Sequence, residues 1–138
     1  MTNDGYIHKN RCVSDLKTHL VLTTKYRRKV LTDAMLNQLH QDTESLLNKW
    51  DCPLIEFNGE SNHVHMLFQY PHDVQLGKLV NSLKTVTSRK LRQSFMPELQ
   101  KIYRDKPVLW NGSYFLASCG GVTISKLKAY IENQNRSQ

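Results

Sequence analysis

The sequence has no apolar stretch approaching the roughly 20 residues of a membrane-spanning helix, and residues 1–10 lack the apolar core of a signal peptide. It also has no CxxC pair, because its three cysteines, Cys12, Cys52 and Cys119, lie far apart. We therefore expect no membrane partner, and we expect reduced thiols in a cytoplasmic protein rather than a disulfide framework or a zinc site. The sequence has no Gly-rich phosphate-binding loop, so it predicts no nucleotide cofactor.

Length and charge narrow the possibilities further. The 138 residues are enough for one domain with a substantial core and too few for two, so we treat 1–138 as a single domain. A composition of 39% apolar and 22% charged residues is that of a globular protein. The formal net charge of +7 favours a polyanionic partner, with nucleic acid ahead of an anionic membrane surface.

Hydrophobic spacing predicts the order β-α-β-β-α-β-α behind a polar, loose segment at residues 1–14. Alternation of apolar and polar residues predicts strands at 15–24, 54–60, 63–70 and 113–119. A 3.6-residue period predicts helices from Asp33 to Trp50, capped by Thr32, and from Asp73, itself a cap, to Phe95. We expect an irregular connector after Pro97, and a terminal helix at 122–136 beyond a core at 15–119.

This order of elements indicates an α+β fold, an antiparallel sheet with helices packed on it, of the broad ferredoxin or RNA-recognition (RRM) kind. Such a fold hosts many functions, so it leaves the activity of the chain open.

The segment "NHVHML" at residues 62–67 places two histidines on a predicted strand. Because strand side chains alternate, His63 and His65 should point to the same side while Val64 enters the core. Two imidazoles on one side can bind a divalent metal, although two solvent-facing histidines on an ordinary strand would give the same pattern. A metal site would need a third ligand.

The predicted terminal helix carries a second pair of candidate residues. Tyr130 lies at the edge of its apolar stripe, and Gln134 lies one turn further along. Tyr130 is either a packing residue or a nucleophile, and the amide of Gln134 is either solvated or a metal ligand. Gly120 and Gly121 either form a simple turn or act as a hinge for this helix.

Basic residues form two candidate nucleic-acid surfaces. The first is the segment "KYRRK", Lys25, Tyr26, Arg27, Arg28 and Lys29, whose cations and aromatic ring could grip a backbone and stack a base. The second is one side of the second predicted helix, with Lys78, Thr85, Ser88, Arg89 and Arg92. A solvated loop and a solvated helix surface are the alternatives.

Taken together, these segments resemble the single-tyrosine HUH transposases (TnpA-like) of the smallest bacterial and archaeal insertion sequences. The resemblance runs from about Leu20 to Gln134. Five segments in this order and spacing carry it: "KYRRKVL" (25–31), "NHVHML" (62–67), "SLKTVTSRKLR" (82–92), "LWNGSYF" (109–115) and "YIENQ" (130–134).

The resemblance implies that His63 and His65 bind Mg²⁺ or Mn²⁺, with Gln134 as the third ligand and Tyr130 as the nucleophile. It also implies hairpin-bearing single-stranded DNA ends as substrate, and a homodimer whose active sites combine one subunit's histidines with the other's tyrosine. Asn62 stands where the family often has Asp, which would place an amide beside the first histidine and remove a negative charge near the metal.

In this hypothesis the protein cleaves and rejoins single-stranded DNA by metal-assisted transesterification through a 5′-phosphotyrosine. The first alternative is a non-catalytic single-stranded nucleic-acid-binding module on the same fold. A weaker alternative is a metal-assisted hydrolase, although the sequence offers no obvious carboxylate ligand beside the histidines.

Overall fold

The computed structural model describes residues 4–119 and 124–133 of the chain. The strands are β1 (Ile7–Lys9), β2 (Cys12–Ser14), β3 (Leu16–Thr24), β4 (Leu54–Glu60), β5 (His63–Tyr70) and β6 (Trp110–Ser118). The helices are α1 (Asp33–Lys49), α2 (Leu76–Ser94), α3 (Met96–Tyr103) and α4 (Ile124–Asn133). Strands β4, β5, β3 and β6 form, in that order, one antiparallel sheet, while β1 and β2 form a separate hairpin. The predicted α+β class is confirmed, and the seven predicted elements occur in the predicted order, with the hairpin β1–β2 and helix α3 in addition.

The hydrophobic core lies between one face of the four-stranded sheet and helices α1 and α2. Alternate residues of the two central strands are buried there, Leu20 and Leu22 from β3 and Val64, Met66 and Phe68 from β5. The helices contribute the buried positions Met35, Leu39, Leu47, Leu79, Leu83 and Leu91. Thr32 caps α1 as predicted, because its hydroxyl accepts a hydrogen bond from the backbone N–H of Met35 at 3.3 Å. The opposite face of the sheet is therefore available for a site.

The predicted loose N-terminal segment is instead partly ordered as the β1–β2 hairpin. Asn10 and Arg11 both have positive φ, as a tight two-residue hairpin turn of the mirror-image type requires. Lys9 pairs with Asp51 at 3.5 Å and with Asp73 at 3.2 Å, which ties the hairpin to the helical layer. Hydrophobic patterning missed it because its strands are three residues each and its anchor is ionic.

The predicted helix cap at Asp73 is wrong. Helix α2 begins at Leu76, and the preceding Gln75 makes no side-chain capping bond. The carboxylate of Asp73 is engaged by Lys9 and by the amide of Asn10, so a contact with the distant hairpin replaces the local one.

The predicted irregular connector after Pro97 is also wrong, because α3 follows α2 almost directly. Pro97 lies in the first turn of α3, where its missing N–H breaks no intrahelical bond. Leu99 and Tyr103 are the buried residues of this helix. The final strand accordingly begins at Trp110 rather than at Ser113.

Two expectations from composition can be compared with the structure. Cys12, Cys52 and Cys119 are free thiols. Among the described helices, none has the length and apolarity that crossing a bilayer demands.

Candidate active site on the histidine face

The turn between β4 and β5 fixes the position of the first candidate histidine. The backbone N–H of Thr24 donates to the carbonyl of Asn62 at 3.0 Å, and that of Leu31 donates to the carbonyl of Ser61 at 2.9 Å. The basic segment 25–29 leaves β3 between these two anchor points. The "KYRRK" segment and the start of β5 are therefore held side by side.

His63 and His65 lie on the same face of β5, and Val64 between them is buried in the core, as the sequence predicts. Their partners on β3 are Thr23 and Val21. We call this side of the four-stranded sheet the histidine face. It is opposite the face that packs against α1 and α2.

The ring of His63 is oriented by its sequence neighbour. Its Nδ1 lies 2.9 Å from the amide oxygen of Asn62. Because an amide oxygen only accepts hydrogen bonds, Nδ1 must carry the proton, which leaves the lone pair on Nε2 free to bind a metal. The amide therefore orients the His63 ring in the way that a partner of a metal-binding histidine would.

Both candidate histidines are biased toward the neutral form. Burial lowers the pKa of His63 below its usual value, with the Glu60 carboxylate opposing the shift and the Arg27 guanidinium adding to it. Burial likewise lowers the pKa of His65, and the neighbouring His19 adds to that shift. Neutral imidazole is the form that binds divalent cations.

These pKa shifts predict a loss of stability on mild acidification. Each folded pKa lies below the ordinary value of about 6.5, so below that pH the unfolded chain binds more protons than the folded chain. The stabilising contribution is present above pH 6.5 and is lost as the pH falls through the folded pKa values. Thermal melts at pH 7.5 and 5.5 should show a smaller difference in the double variant His63→Asn/His65→Asn than in the wild type.

A matched control for that measurement is His72→Asn, at an exposed histidine in the loop before α2. It should retain the wild-type pH dependence. If the double variant and the wild type lose equal stability between the two pH values, the burial of His63 and His65 does not govern the response.

The carboxylate of Glu60 lies on the strand next to the histidines, although the sequence alone shows no carboxylate beside them. The two-residue turn folds β4 back on β5, so Glu60 is the direct cross-strand partner of His63, and Asn58 that of His65. Within the described ranges, however, no group of three or more His, Cys, Asp or Glu side chains is arranged to hold a metal ion. Among the described residues, the predicted metal site therefore has two imidazoles and no third ligand of these types. The predicted third ligand, Gln134, and the predicted hinge, Gly120 and Gly121, lie outside the described residues.

Helix α4 reaches the histidine face of its own chain. The half-buried ring of Tyr130 contacts the ring of Phe115 with their centroids 4.9 Å apart. Phe115 is the cross-strand partner of Val21 on β3, and Val21 is the partner of His65 on β5. The contact thus places Tyr130 above β6, two strands or about 10 Å from β5. Tyr130 serves as a packing residue in this position, and the same position puts its phenol on the side of the sheet that carries the histidines.

Arg27 also approaches this face. Its Nε and Nη1 atoms are buried and, among the residues that the structure describes, have no hydrogen-bond partner. Burial lowers the pKa of its guanidinium, while Glu132 on α4 opposes the shift. Since Arg27 also lowers the pKa of His63, its charge interacts with groups on both β5 and the helix that carries Tyr130.

The backbone conformation explains why the Arg27 side chain lies apart from the other basic side chains of the segment 25–29. Tyr26 and Arg27 have φ values of 59° and 52°, in the left-handed region that residues with a Cβ seldom adopt. Two such residues in succession turn the chain sharply, and each costs about 1–3 kcal/mol that other contacts must offset. Lys25 supplies two of those contacts: its N–H donates to the carbonyl of Leu109 at 2.8 Å, and its carbonyl accepts from the Tyr103 hydroxyl at 2.9 Å.

The remaining basic residues fall into different surroundings. Thr85, Ser88 and Arg92 line one groove of about 280 Å³ together with Lys84. Lys78 lies instead at the other end of α2, in a depression that also contains Asp51 and Asp73. Arg89 and Lys29 are exposed. The single basic helix surface expected from the sequence is therefore divided.

Helix α3 joins the basic groove to the "KYRRK" segment. A depression of about 570 Å³ is lined by Tyr26, Arg28, Lys101, Ile102, Tyr103, Arg104 and Lys106. A smaller depression of about 150 Å³ shares Lys106 with it, and shares Arg92 and Pro107 with the groove along α2. We call this continuous surface, from Thr85 past Lys106 to Arg28, the basic track. The sequence did not predict the centre of this surface, because α3 lies in the segment predicted to be an irregular connector.

The cations of the basic track form no close ion pair with the described residues, and Asp105, which lines its smaller depression, accepts a hydrogen bond from the amide of Gln100. Among the described residues, Arg28, Lys101, Arg104 and Lys106 form no ion pair. Burial and the nearby Lys25 lower the pKa of Lys84, whose ammonium group donates to the carbonyl of Gly112 at 3.0 Å. Such a surface suits a polyanion.

Comparison with known proteins gives a consistent result. A family model described as "Transposase IS200 like" matches residues 12–134. The transposases for insertion sequence element IS200 of Salmonella typhimurium and Salmonella typhi are each 28% identical over 122 residues, covering 86% of this chain and 76% of theirs.

Two solved structures share the fold. A Deinococcus radiodurans protein solved as a candidate transposase is 27% identical, with a TM-score of 0.80 over 93% of this chain and 98% of its own. A REP-associated tyrosine transposase bound to a REP hairpin has a TM-score of 0.54 at 11% identity, over 92% of this chain and 67% of its own. The second likeness concerns the fold alone.

Proposed function

Since the chain belongs to the IS200-like transposase family, we propose that it cleaves and rejoins single-stranded DNA at insertion-sequence ends through a covalent link to Tyr130. One observation carries this proposal: Tyr130 on α4 packs over the same face of the sheet that carries His63 and His65. A phenol nucleophile and two metal-binding imidazoles are the minimum set for a metal-assisted phosphoryl transfer.

The chemistry follows from the groups on this face. The Tyr130 oxygen attacks a backbone phosphorus, the bond from phosphorus to the 3′ oxygen breaks, and a 5′-phosphotyrosine and a free 3′-OH result. The phenol proton is balanced by the proton that the departing 3′ oxygen takes up. Attack by a 3′-OH reverses the step and rejoins strands, so no nucleotide cofactor is consumed.

A divalent metal, Mg²⁺ or Mn²⁺, fits the histidine pair, because His63 presents an unprotonated Nε2 and both imidazoles favour the neutral form. When bound, it would neutralise charge on the phosphate oxygens and polarise phosphorus, an effect of several kcal/mol. Gln134 is proposed as the third ligand, with Asn62 holding His63. A phenol with a pKa of about 10 is mostly protonated at neutral pH and is a weak nucleophile, so its attack requires a phosphate that the metal has activated.

In this proposal Arg27 contacts the phosphate that reacts. Its charge interacts with both His63 and Glu132 on α4, and a phosphate oxygen would supply its two buried nitrogens with the acceptors that described residues do not. A buried guanidinium favours the extra negative charge of the transition state more than an exposed one does, because little water screens it.

The basic track is proposed to bind the rest of the DNA, including a hairpin. Its cations line adjoining depressions beside α3 and would contact phosphates without reading sequence. Tyr26 is 47% exposed beside this track and offers a ring on which a base can stack.

Removing two lysines from the centre of the track should weaken DNA binding and its salt dependence together. For Lys101→Ala/Lys106→Ala, the slope of log affinity against log salt should fall by about 1.4, or 0.7 for each phosphate contact to a single strand. Fluorescence anisotropy with labelled single-stranded DNA, over a series of salt concentrations, measures both quantities. Both side chains are exposed, so the fold should persist.

The matched control is Lys49→Ala/Lys90→Ala, which makes the same change in net charge at two exposed helical lysines outside the track. Its salt slope should stay near that of the wild type. Equal losses in the two double variants would mean that net charge, and not the track, governs binding.

Covalent capture tests the proposed function itself. The wild-type protein with Mn²⁺ and single-stranded DNA carrying insertion-sequence ends should form an adduct that survives denaturation. Label at the 3′ end of the DNA should stay with the protein, while label at the 5′ end should be released on a shorter strand. A non-catalytic binding module would retain DNA without any adduct, and a hydrolase would shorten it without any adduct.

A further inference from the structure

A third histidine lies beside the candidate metal ligands. His19 on β3 is the cross-strand partner of Leu67, so it points to the histidine face, one diagonal step from His65. Its Nδ1 is 2.9 Å from Nε2 of His65. In the sequence this residue is merely one polar position of an alternating strand, and only the register between β3 and β5 brings it to the site.

The two rings meet edge to edge rather than face to face. Their planes are inclined by only 15°, yet their centroids are 5.2 Å apart, and the 2.9 Å contact joins two ring nitrogens. Nearly coplanar rings direct an N–H of one along the lone pair of the other, which is good hydrogen-bond geometry. One of the two nitrogens therefore carries the proton, and the contact constrains the tautomer of both rings.

His63 and His65 are thus supported in the same manner. Each has one ring nitrogen held by a neighbouring side chain, Asn62 for His63 and His19 for His65. Metal-binding histidines nearly always donate their second N–H to such a partner, which fixes the ring and the nitrogen that faces the metal. The contact with His19 occupies Nε2 of His65, so the nitrogen left for a metal is Nδ1.

We propose that His19 is a positioning residue, whose Nδ1 accepts a hydrogen bond from Nε2–H of His65 and so presents Nδ1 of His65 to the metal. This inference rests on the metal-dependent function proposed above. It assigns His19 no contact with the metal or with DNA. The site then depends on a second strand, because β3 holds the partner of a ligand that β5 carries.

Titration of the full-length protein with Mn²⁺ alone tests the proposal. His19→Phe retains a ring of similar size but cannot accept the hydrogen bond, and it should weaken Mn²⁺ binding by about 10- to 100-fold. His19→Asn places an amide oxygen near the position of Nδ1, and it should recover most of the lost affinity. Free Mn²⁺ is read from its electron paramagnetic resonance signal, without DNA and without turnover.

A second measurement reports the tautomer without any metal. Long-range ¹H–¹⁵N correlation spectra should show His65 protonated at Nε2 in the wild type and in His19→Asn. In His19→Phe, both ring nitrogens of His65 should shift toward the averaged values of a mixed tautomer. A purely structural role for His19 would leave this signature unchanged.

The outcomes separate this inference from the proposed function. If the wild type shows no saturable Mn²⁺ site that His63→Ala removes, the metal-dependent function fails. If the wild type binds Mn²⁺ and His19→Phe binds it equally well or more tightly, the metal site stands and the role of His19 is overturned. Tighter binding would mean that His19 and the metal compete for Nε2 of His65.

Discussion

Tyr130→Phe is expected to abolish covalent capture of DNA while leaving the fold and DNA affinity in place. The change removes one oxygen atom and keeps the ring that contacts Phe115. Without the phenol oxygen no phosphotyrosine can form, so the adduct should fall below detection rather than decline by a factor. Denaturing gels of the 3′-labelled strand measure the adduct, and anisotropy measures the retained binding.

The control is Tyr114→Phe, at the residue that precedes Phe115 on β6. The ring of Tyr114 lies under the ammonium group of Lys84. This variant should form the adduct normally. An undiminished adduct with Tyr130→Phe, or its loss with Tyr114→Phe, would contradict the assignment of the nucleophile.

Mixing variants tests the proposed homodimer. Tyr130→Phe and His63→Ala should each be inactive alone. If one subunit's tyrosine serves the other's histidines, mixed dimers contain one intact site and the adduct returns. In the structure, Tyr130 lies over β6 of its own chain. If the helix also acts within its own subunit, neither site of a mixed dimer is intact and no adduct returns. The mixture therefore decides between the two arrangements.

The predictable part of the site is the part that local periodicity governs. Alternation along β5 is sufficient to place His63 and His65 on one face of the sheet and Val64 in the core on the other, because the side-chain period of a strand is two. The same alternation predicts the hairpin, in which a two-residue turn separates Glu60 from His63. The pairing of Glu60 with His63 across the two strands is visible only in the structure.

The unpredicted part depends on pairing between segments that are distant in sequence. His19 reaches His65 through the register of β3 with β5, and neither strand encodes that register by itself. Asp73 has the form of a helix cap, yet it binds Lys9 because a hairpin more than sixty residues earlier folds against it. Local signals predict candidates, and tertiary contacts decide which of them are used.

Helix α3 illustrates a different difficulty. In the sequence, Pro97 predicts the end of helical structure, since proline inside a helix removes a hydrogen bond. At the first turn the same residue is favourable, and the two cases differ only in where the helix begins. The centre of the basic track, at Lys101, Arg104 and Lys106, was lost with that helix.

Arg27→Met is expected to reduce DNA cleavage by about 100- to 1,000-fold, the usual effect of removing one preorganised donor to transition-state charge. Methionine retains the side-chain volume and removes the guanidinium, whose Nε and Nη1 are buried without a partner among the described residues. Arg27→Lys should lose less, because it keeps the charge and loses only the paired N–H geometry. Single-turnover rates at saturating DNA isolate this effect from affinity.

Stability should change in the opposite direction to activity. Arg27 is partly buried, and two of its nitrogens are buried without a hydrogen-bond partner among the described residues, which destabilises the folded chain, so Arg27→Met should leave the melting temperature unchanged or raise it, while cleavage collapses. Arg28→Met is the matched control: its side chain lines the basic track, so it should weaken affinity and salt dependence with little effect on the saturated rate. If Arg27→Met instead melts earlier than Arg28→Met and cleaves at the same saturated rate, Arg27 is a structural residue, and the strained turn at Tyr26 and Arg27 serves the fold rather than the reaction.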